Sequence, residues 1–187
     1  MTGVPEGREG ESRLAVIESA AGTKELAARV APLVRAGDVV LLVGDLGAGK
    51  TAFAQGFAAA LGVNQAVTSP TFALVRHYRT GEGAPVATVI HADVYRTGSV
   101  EEVIDLALAE LVEEDAVAVV EWGDLAAPAF GESALVVTLD APDAFGAPER
   151  RDVTVALRGR WSGRSAAVAA ALVPFASPLP VAPRGTT

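Results

Sequence analysis

Three observations predict an α/β fold: a single domain with a mostly parallel sheet, an inserted antiparallel hairpin and helices on both faces. The apolar, largely β-branched run Val39 to Val43 empties into a glycine-rich turn and then into good helix formers, Thr51 to Leu61. Further short apolar runs, Val86 to Ile90 and Ala116 to Val120, alternate with stretches of helical spacing, as parallel strands joined by helices require. The run at 116–120, AVAVV, is apolar at every position and suits a strand covered on both faces.

Residues 1–12 are polar and are expected to form a disordered arm. Arg13 to Glu18 reads as a first strand. Thr23 to Val34 has helical spacing through Leu26, Val30, Leu33 and Val34, with Thr23 as candidate N-cap. Ala36, Gly37 and Asp38 turn into the strand at 39–43, and the helix after it stops at Gly62. Thr71 to Tyr78 alternates through Phe72, Leu74 and Arg76, and the turn-rich TGEGAP joins it to Val86–Ile90 as the hairpin. Ser99 and Glu102 form a capping-box signal for a helix to about Val112, with Val103, Leu106 and Leu111 on its buried side. Ala134 to Leu139 and Asp152 to Leu157 read as two later strands. The domain is expected to span 13–160. The Ala- and Pro-rich tail, 161–187, is expected to be largely disordered apart from a short helix at Ser165 to Leu172.

Composition narrows the function classes. The 187 residues are enough for one domain with a real core, and with 50% hydrophobic but only 5% aromatic residues that core must be built from Ala, Val and Leu. A net charge of −8 argues against direct binding along a nucleic-acid backbone, which rests on clustered cations. The absence of cysteine excludes disulfides, thiolate metal sites and cysteine nucleophiles. No apolar run approaches a membrane span and the first residues carry no signal-peptide core, so a cytoplasmic protein with no membrane association is expected.

Residues 44–51, GDLGAGKT, match the phosphate-binding pattern GxxxxGKT. A loop poor in Cβ atoms lets successive backbone N–H groups close around phosphates, and the following helix turns its positive end toward them. Lys50 supplies a point charge for the terminal phosphates, and the Thr51 hydroxyl is placed to bind Mg²⁺. Glu121 ends the apolar strand at 116–120, where strand ends border the ligand crevice of an open α/β sheet, and it is a candidate for the Mg²⁺ shell opposite Thr51. In HADVYR, Asp93 is a second carboxylate suited to assisting the metal or positioning an attacking water. His91 beside it reads more readily as a packed side chain than as a proton shuttle. In SPTF, Ser69 to Phe72, the Thr71 hydroxyl is a candidate sensor of the terminal phosphate.

In series, GDLGAGKT, SPTF, HADVYR and VVEW resemble the bacterial TsaE (also called YjeE) family of small P-loop ATPases, over roughly residues 15 to 157. The resemblance implies that Gly47, Ala48, Gly49, Lys50, Thr51 and Ala52 wrap the phosphates of ATP and that Thr51 and Glu121 serve Mg²⁺. It implies that Lys50, Asp93 and Glu121 act in hydrolysis, that Trp122 lies near the nucleotide, and that Ser19 marks the nucleoside end. It further implies a role in threonylcarbamoyladenosine modification of adenosine 37 of tRNA, with slow turnover alone and dependence on the TsaB and TsaD proteins. The tRNA would then be met only through the complex. Two positions depart from the family pattern: Ala52 stands where a second Thr is common, and Gly123 where Pro is. Gly123 is expected to loosen the segment carrying Asp124.

Two other readings remain. A small-molecule kinase would need an acceptor pocket and a basic lid, for which Arg76, Arg79 and Arg96 are available, but no acceptor motif is recognisable. A nucleotide-switched binding module would use the same loop with negligible hydrolysis. A GTPase is disfavoured because no NKxD follows the loop.

Overall fold

The computed structural model describes residues 12–70, 74–95, 110, 112, 115–130, 133–142, 147 and 149–176, with side chains from residue 14 onward. Its strands are β1 (Ser12–Ile17), β2 (Asp38–Val43), β3 (Val75–Arg79), β4 (Thr88–Asp93), β5 (Ala116–Glu121), β6 (Leu135–Asp140) and β7 (Arg151–Leu157). The helices are α1 (Ala20–Val30), α2 (Lys50–Ala60), the single turn α3 (Gly123–Ala126) and α4 (Ser165–Leu172). The strands form one seven-stranded sheet in the order β1-β7-β6-β2-β5-β4-β3. Its four central strands run parallel, through the pairs β6 with β2, β2 with β5 and β5 with β4. The hairpin expected from the sequence is present as β3 antiparallel to β4, and the opposite side of the sheet is antiparallel too, through β6 with β7 and β7 with β1.

Successive side chains of a strand point to opposite faces, so an all-apolar strand feeds two cores at once. In β2, Val40 and Leu42 join the larger core while Val39 and Leu41 join the smaller one. In β5, Val117 and Val119 face the first, and Ala116, Ala118 and Val120 the second. The first face is covered by α1, α2 and α4, whose Leu26, Val30, Phe53, Phe57, Val168 and Leu172 fill that core. On the second face, small alanines leave room for Ala126 of α3 and for Val112.

Several expectations are corrected. The first helix is capped by Ser19, not Thr23: the Ser19 hydroxyl accepts from the Gly22 N–H at 3.1 Å, and Thr23 is buried inside the first turn. The helix proper ends at Val30 and continues only as a 3-10 turn, Ala31–Leu33, because Pro32 cannot donate to an α-helical ladder. The hairpin's first strand begins at Val75: Leu74 adopts φ 57° and its N–H bonds the Pro70 carbonyl at 2.8 Å, which breaks the extended run. Residues 71–73 and nearly all of the capping-box helix at 99–112 lie outside the described residues.

The expected boundary at residue 160 also fails. Trp161 is fully buried, and Arg164 pairs through both Nη atoms with the carboxylate of Asp38, itself 0% exposed at the start of β2. The helix at Ser165–Leu172 is present, and it packs on α1 through Val168 and Leu172 rather than standing in solvent. Composition suggested a tail because alanine dominates this segment. The contact is made by Val168 and Leu172, four residues apart on one face of the helix, while Ala166, Ala167 and Ala170 stand exposed.

Candidate nucleotide site

The strand parity that builds the core also builds the site. His91, Asp93 and Glu121 follow Val89 and Val119 at two-residue steps, so all three point to the face occupied by α2. Parallel pairing sets Asp93 directly beside Glu121. The β2–α2 turn delivers Lys50 and Thr51 to the same end of the sheet.

The turn needs glycine twice, first at Gly44, where φ is 141° and a Cβ would stand 2.3 Å from the Leu139 carbonyl oxygen. Gly49, the N-cap of α2, has φ 107°, a conformation closed to residues with a side chain. From there Lys50 turns back, donating to the Gly44 carbonyl at 2.6 Å and the Asp45 carbonyl at 2.8 Å, with Nζ 3.9 Å from the centre of the Trp122 ring. Burial pushes the Lys50 pKa below its ordinary value, while the charges of Glu121, Asp93, Asp45 and Asp124 act in the opposite direction.

Glu121 is the hub. The Thr51 hydroxyl shares its proton between the two carboxylate oxygens, at 2.9 and 3.0 Å, and His91 Nε2 lies 2.9 Å from Oε1. A carboxylate only accepts, so His91 carries its proton on Nε2. Its Nδ1, also buried, has no partner among the described residues. Asp93 is held from both sides, by the Ser69 hydroxyl at 2.8 Å and the Tyr95 N–H at 3.1 Å. Trp122 adopts a left-handed backbone, φ 62°, which ends β5 immediately after Glu121 and returns the ring over the loop, where it packs on Tyr95 at 4.5 Å.

Leu46, Gly47, Gly49, Lys50, Thr51, Ala52, Ser69, Asp93, Tyr95, Glu121 and Trp122 together line a cavity of about 530 Å³. A larger groove, about 610 Å³, runs beside α1 and α2 and is lined by small, apolar and polar residues, Lys24, Glu25 and Gln55 among them, with no part of the glycine-rich loop. Anion binding is favoured where a cation stands beside converging backbone N–H groups, and the smaller cavity joins Lys50 to the loop and the start of α2. Its donor set also fits a hard divalent cation: the Thr51 hydroxyl and Glu121 carboxylate are adjacent oxygens, and magnesium takes few protein ligands beside phosphate oxygens and water.

Most of the residues singled out in the sequence therefore meet in one place. Ala48 contributes backbone only, its methyl group being buried in the core. Ser19 is a helix cap and does not line the cavity, and Thr71 lies outside the described residues. Gly123 does not loosen its segment: a Cβ there would stand 2.6 Å from Leu41 Cβ and 3.0 Å from the Leu41 backbone, so the glycine lets α3 seat against β2. Tyr95 is added by the structure, and His91 is the packed, hydrogen-bonded side chain that the sequence favours. The tie from His91 to Glu121 spans 30 residues and has no local signature, though equal parity at neighbouring strand ends could have suggested it.

The profile of the family described as threonylcarbamoyl adenosine biosynthesis protein TsaE matches residues 17–151. A Streptomyces coelicolor protein named tRNA threonylcarbamoyladenosine biosynthesis protein TsaE is 43% identical over 150 residues, covering 79% of this chain and 99% of its own. A Treponema pallidum protein of the same name is 37% identical over 141 residues, 75% of this chain and 98% of its own. The crystal structure of Bacillus subtilis YdiB superposes with a TM-score of 0.70 at 27% identity, covering 88% of this chain and 98% of that one. Since the family profile runs from the end of β1 to the start of β7 and so takes in every part of the cavity, the chain belongs to the TsaE family.

Proposed function

We propose that the chain is a Mg²⁺-dependent ATPase that serves threonylcarbamoyladenosine formation in tRNA together with the TsaB and TsaD proteins. The observation that carries this reading is the meeting of Lys50, the Thr51–Glu121 pair and Asp93 in one cavity at the mouth of a phosphate loop. The pathway is supported by the names of the relatives, each a tRNA threonylcarbamoyladenosine biosynthesis protein.

In this reading the N–H groups of residues 47–52 and the start of α2 bind the phosphates, and Lys50 exchanges its two loop carbonyls for phosphate oxygens. Thr51 and Glu121 would hold magnesium, which would supply neutralisation of charge on the terminal phosphate oxygens. Asp93, oriented by Ser69 and the Tyr95 N–H, aligns a water and takes up its proton as the oxygen attacks the terminal phosphorus and the bond to the leaving diphosphate breaks. His91 fixes the rotamer of Glu121. Among the described residues the cavity is lined by a single cation, Lys50, beside Asp93 and Glu121, which favours slow turnover alone and faster turnover once a partner completes the site.

The test is single-turnover ATP decay with Mg²⁺, with EDTA, and with the TsaB–TsaD pair added. Acceleration by the pair is expected. Partner binding that needs ATP while decay stays unchanged would favour the nucleotide-switched module instead. The kinase reading gains no support, because Arg76 and Arg79 stand exposed on the edge strand β3 and do not line the cavity, while Arg96 lies outside the described residues.

A further inference from the structure

We infer that Arg151 is a positioning residue that holds the phosphate loop in its anion-binding form from the side opposite the phosphates. The inference rests on the proposed nucleotide reading for its consequence, though not for its geometry. Arg151 opens β7 and is paired in the sheet with Ile17 of β1, so its backbone is fixed independently of the loop. Its guanidinium reaches across to the loop, donating from Nε to the Ala48 carbonyl at 2.8 Å and from Nη2 to the Gly47 carbonyl at 3.1 Å. Nη1 is tied back to the Arg150 carbonyl at 2.8 Å, which locks the plane of the fork.

Peptide planarity gives these two bonds their consequence. The C=O of one residue and the N–H of the next lie trans across a rigid plane, so fixing the carbonyl fixes the opposite direction for the amide. With the Ala48 carbonyl turned to Arg151, the Gly49 N–H must point the other way. The Gly47 carbonyl similarly sets the Ala48 N–H, which closes the turn onto the Asp45 carbonyl at 3.1 Å. Without such a hold, either peptide could flip and present a carbonyl oxygen to the phosphates, exchanging attraction for repulsion.

The loop has little means of preventing that itself. Gly47 is exposed at φ 80°, and even a built Cβ there would meet nothing within 4 Å. The planar, multi-donor guanidinium can hold two neighbouring carbonyls at once, which a lysine ammonium on a flexible stem does poorly.

The experiment compares the wild type with Arg151→Ala, Arg151→Lys and Arg151→Gln. Amide hydrogen exchange is measured on nucleotide-free protein, and Mg²⁺-ADP and Mg²⁺-ATP affinities by calorimetry. In Arg151→Ala, exchange at residues 47–50 should rise while β1 and β7 keep their protection, and nucleotide affinity should fall by about tenfold or more, the loss expected for hydrogen bonds to a charged group. Arg151→Lys should recover part of both effects and Arg151→Gln less. Exchange and affinity within twofold of wild type in Arg151→Ala would overturn the inference. So would a loss of protection spread equally over β1 and β7 with no recovery by lysine, since that would make Arg151 a sheet residue only. A wild type that binds no nucleotide would sink the proposed function, while the exchange measurement would still judge the hold on the loop.

Discussion

Lys50 is held by the same groups it must leave. Two carbonyls and the Trp122 face satisfy its ammonium at 5% exposure, and three of the acids that counter its burial, Asp45, Asp93 and Glu121, surround the loop. In the proposed reading, replacing it removes the cation nearest to the phosphates. Lys50→Ala should therefore weaken ATP binding by about 10- to 100-fold, the worth of a charge-assisted contact, as read by calorimetry. Glu121→Gln keeps the shape of the hub and a partner for Thr51 but removes the charge that would hold the metal. It should leave thermal unfolding close to wild type and cut Mg²⁺-dependent turnover by about 100-fold; full turnover would take Glu121 out of the site. At this scale the sequence was most legible where a residue's neighbours in the chain are also its partners in space. Lys50 and Thr51 stand out because the loop is one continuous stretch. Glu121 and Asp93 could be placed by the apolar runs they terminate. Arg151 could not, because its partner Ala48 lies 103 positions away and no motif surrounds it.

Among the elements, α1 and α2 make the most extensive packed pair on the sheet, and Gly56 decides how near they come. A Cβ at Gly56 would lie 2.3 Å from the Lys24 carbonyl oxygen and 2.5 Å from its Cα, both backbone atoms that cannot swing aside. In an open helix, Gly→Ala gains about 1 kcal/mol from propensity. Here overpacking opposes it with about 1–3 kcal/mol and no flexible side chain to absorb the clash. Gly56→Ala should therefore be destabilising, and chemical denaturation will show the sign directly. The existence and order of the elements followed from periodicity and from Gly and Pro punctuation, whereas their ends did not. Ser19 captured the first helix because its side chain closes on Gly22, a local competition that spacing of apolar residues does not report. The antiparallel pairing of β1 with β7 joins segments remote in the chain, and no local pattern encodes such a partner.

For the whole molecule, the segment after β7 belongs to the fold. Asp38 begins the strand that ends in the phosphate loop, and its buried carboxylate is answered by Arg164. Arg164→Ala would leave that charge unpaired, at a cost of about 3–5 kcal/mol. Removing residues 161–187 would strip Trp161, Arg164, Val168 and Leu172 from the structure together. That truncation should lose cooperative thermal unfolding, as read by calorimetry. An alanine-rich composition masked this segment, because its buried face rests on Val168 and Leu172 alone, too few positions to show a period.

The distance along the chain between the loop and its restraint has an effect during synthesis. The ribosome completes GDLGAGKT about a hundred residues before it reaches Arg151, and Arg164 comes later still. A nascent chain stalled in that interval would carry the entire signature and yet have neither brace for it, so affinity for nucleotide should arise late and abruptly as translation finishes.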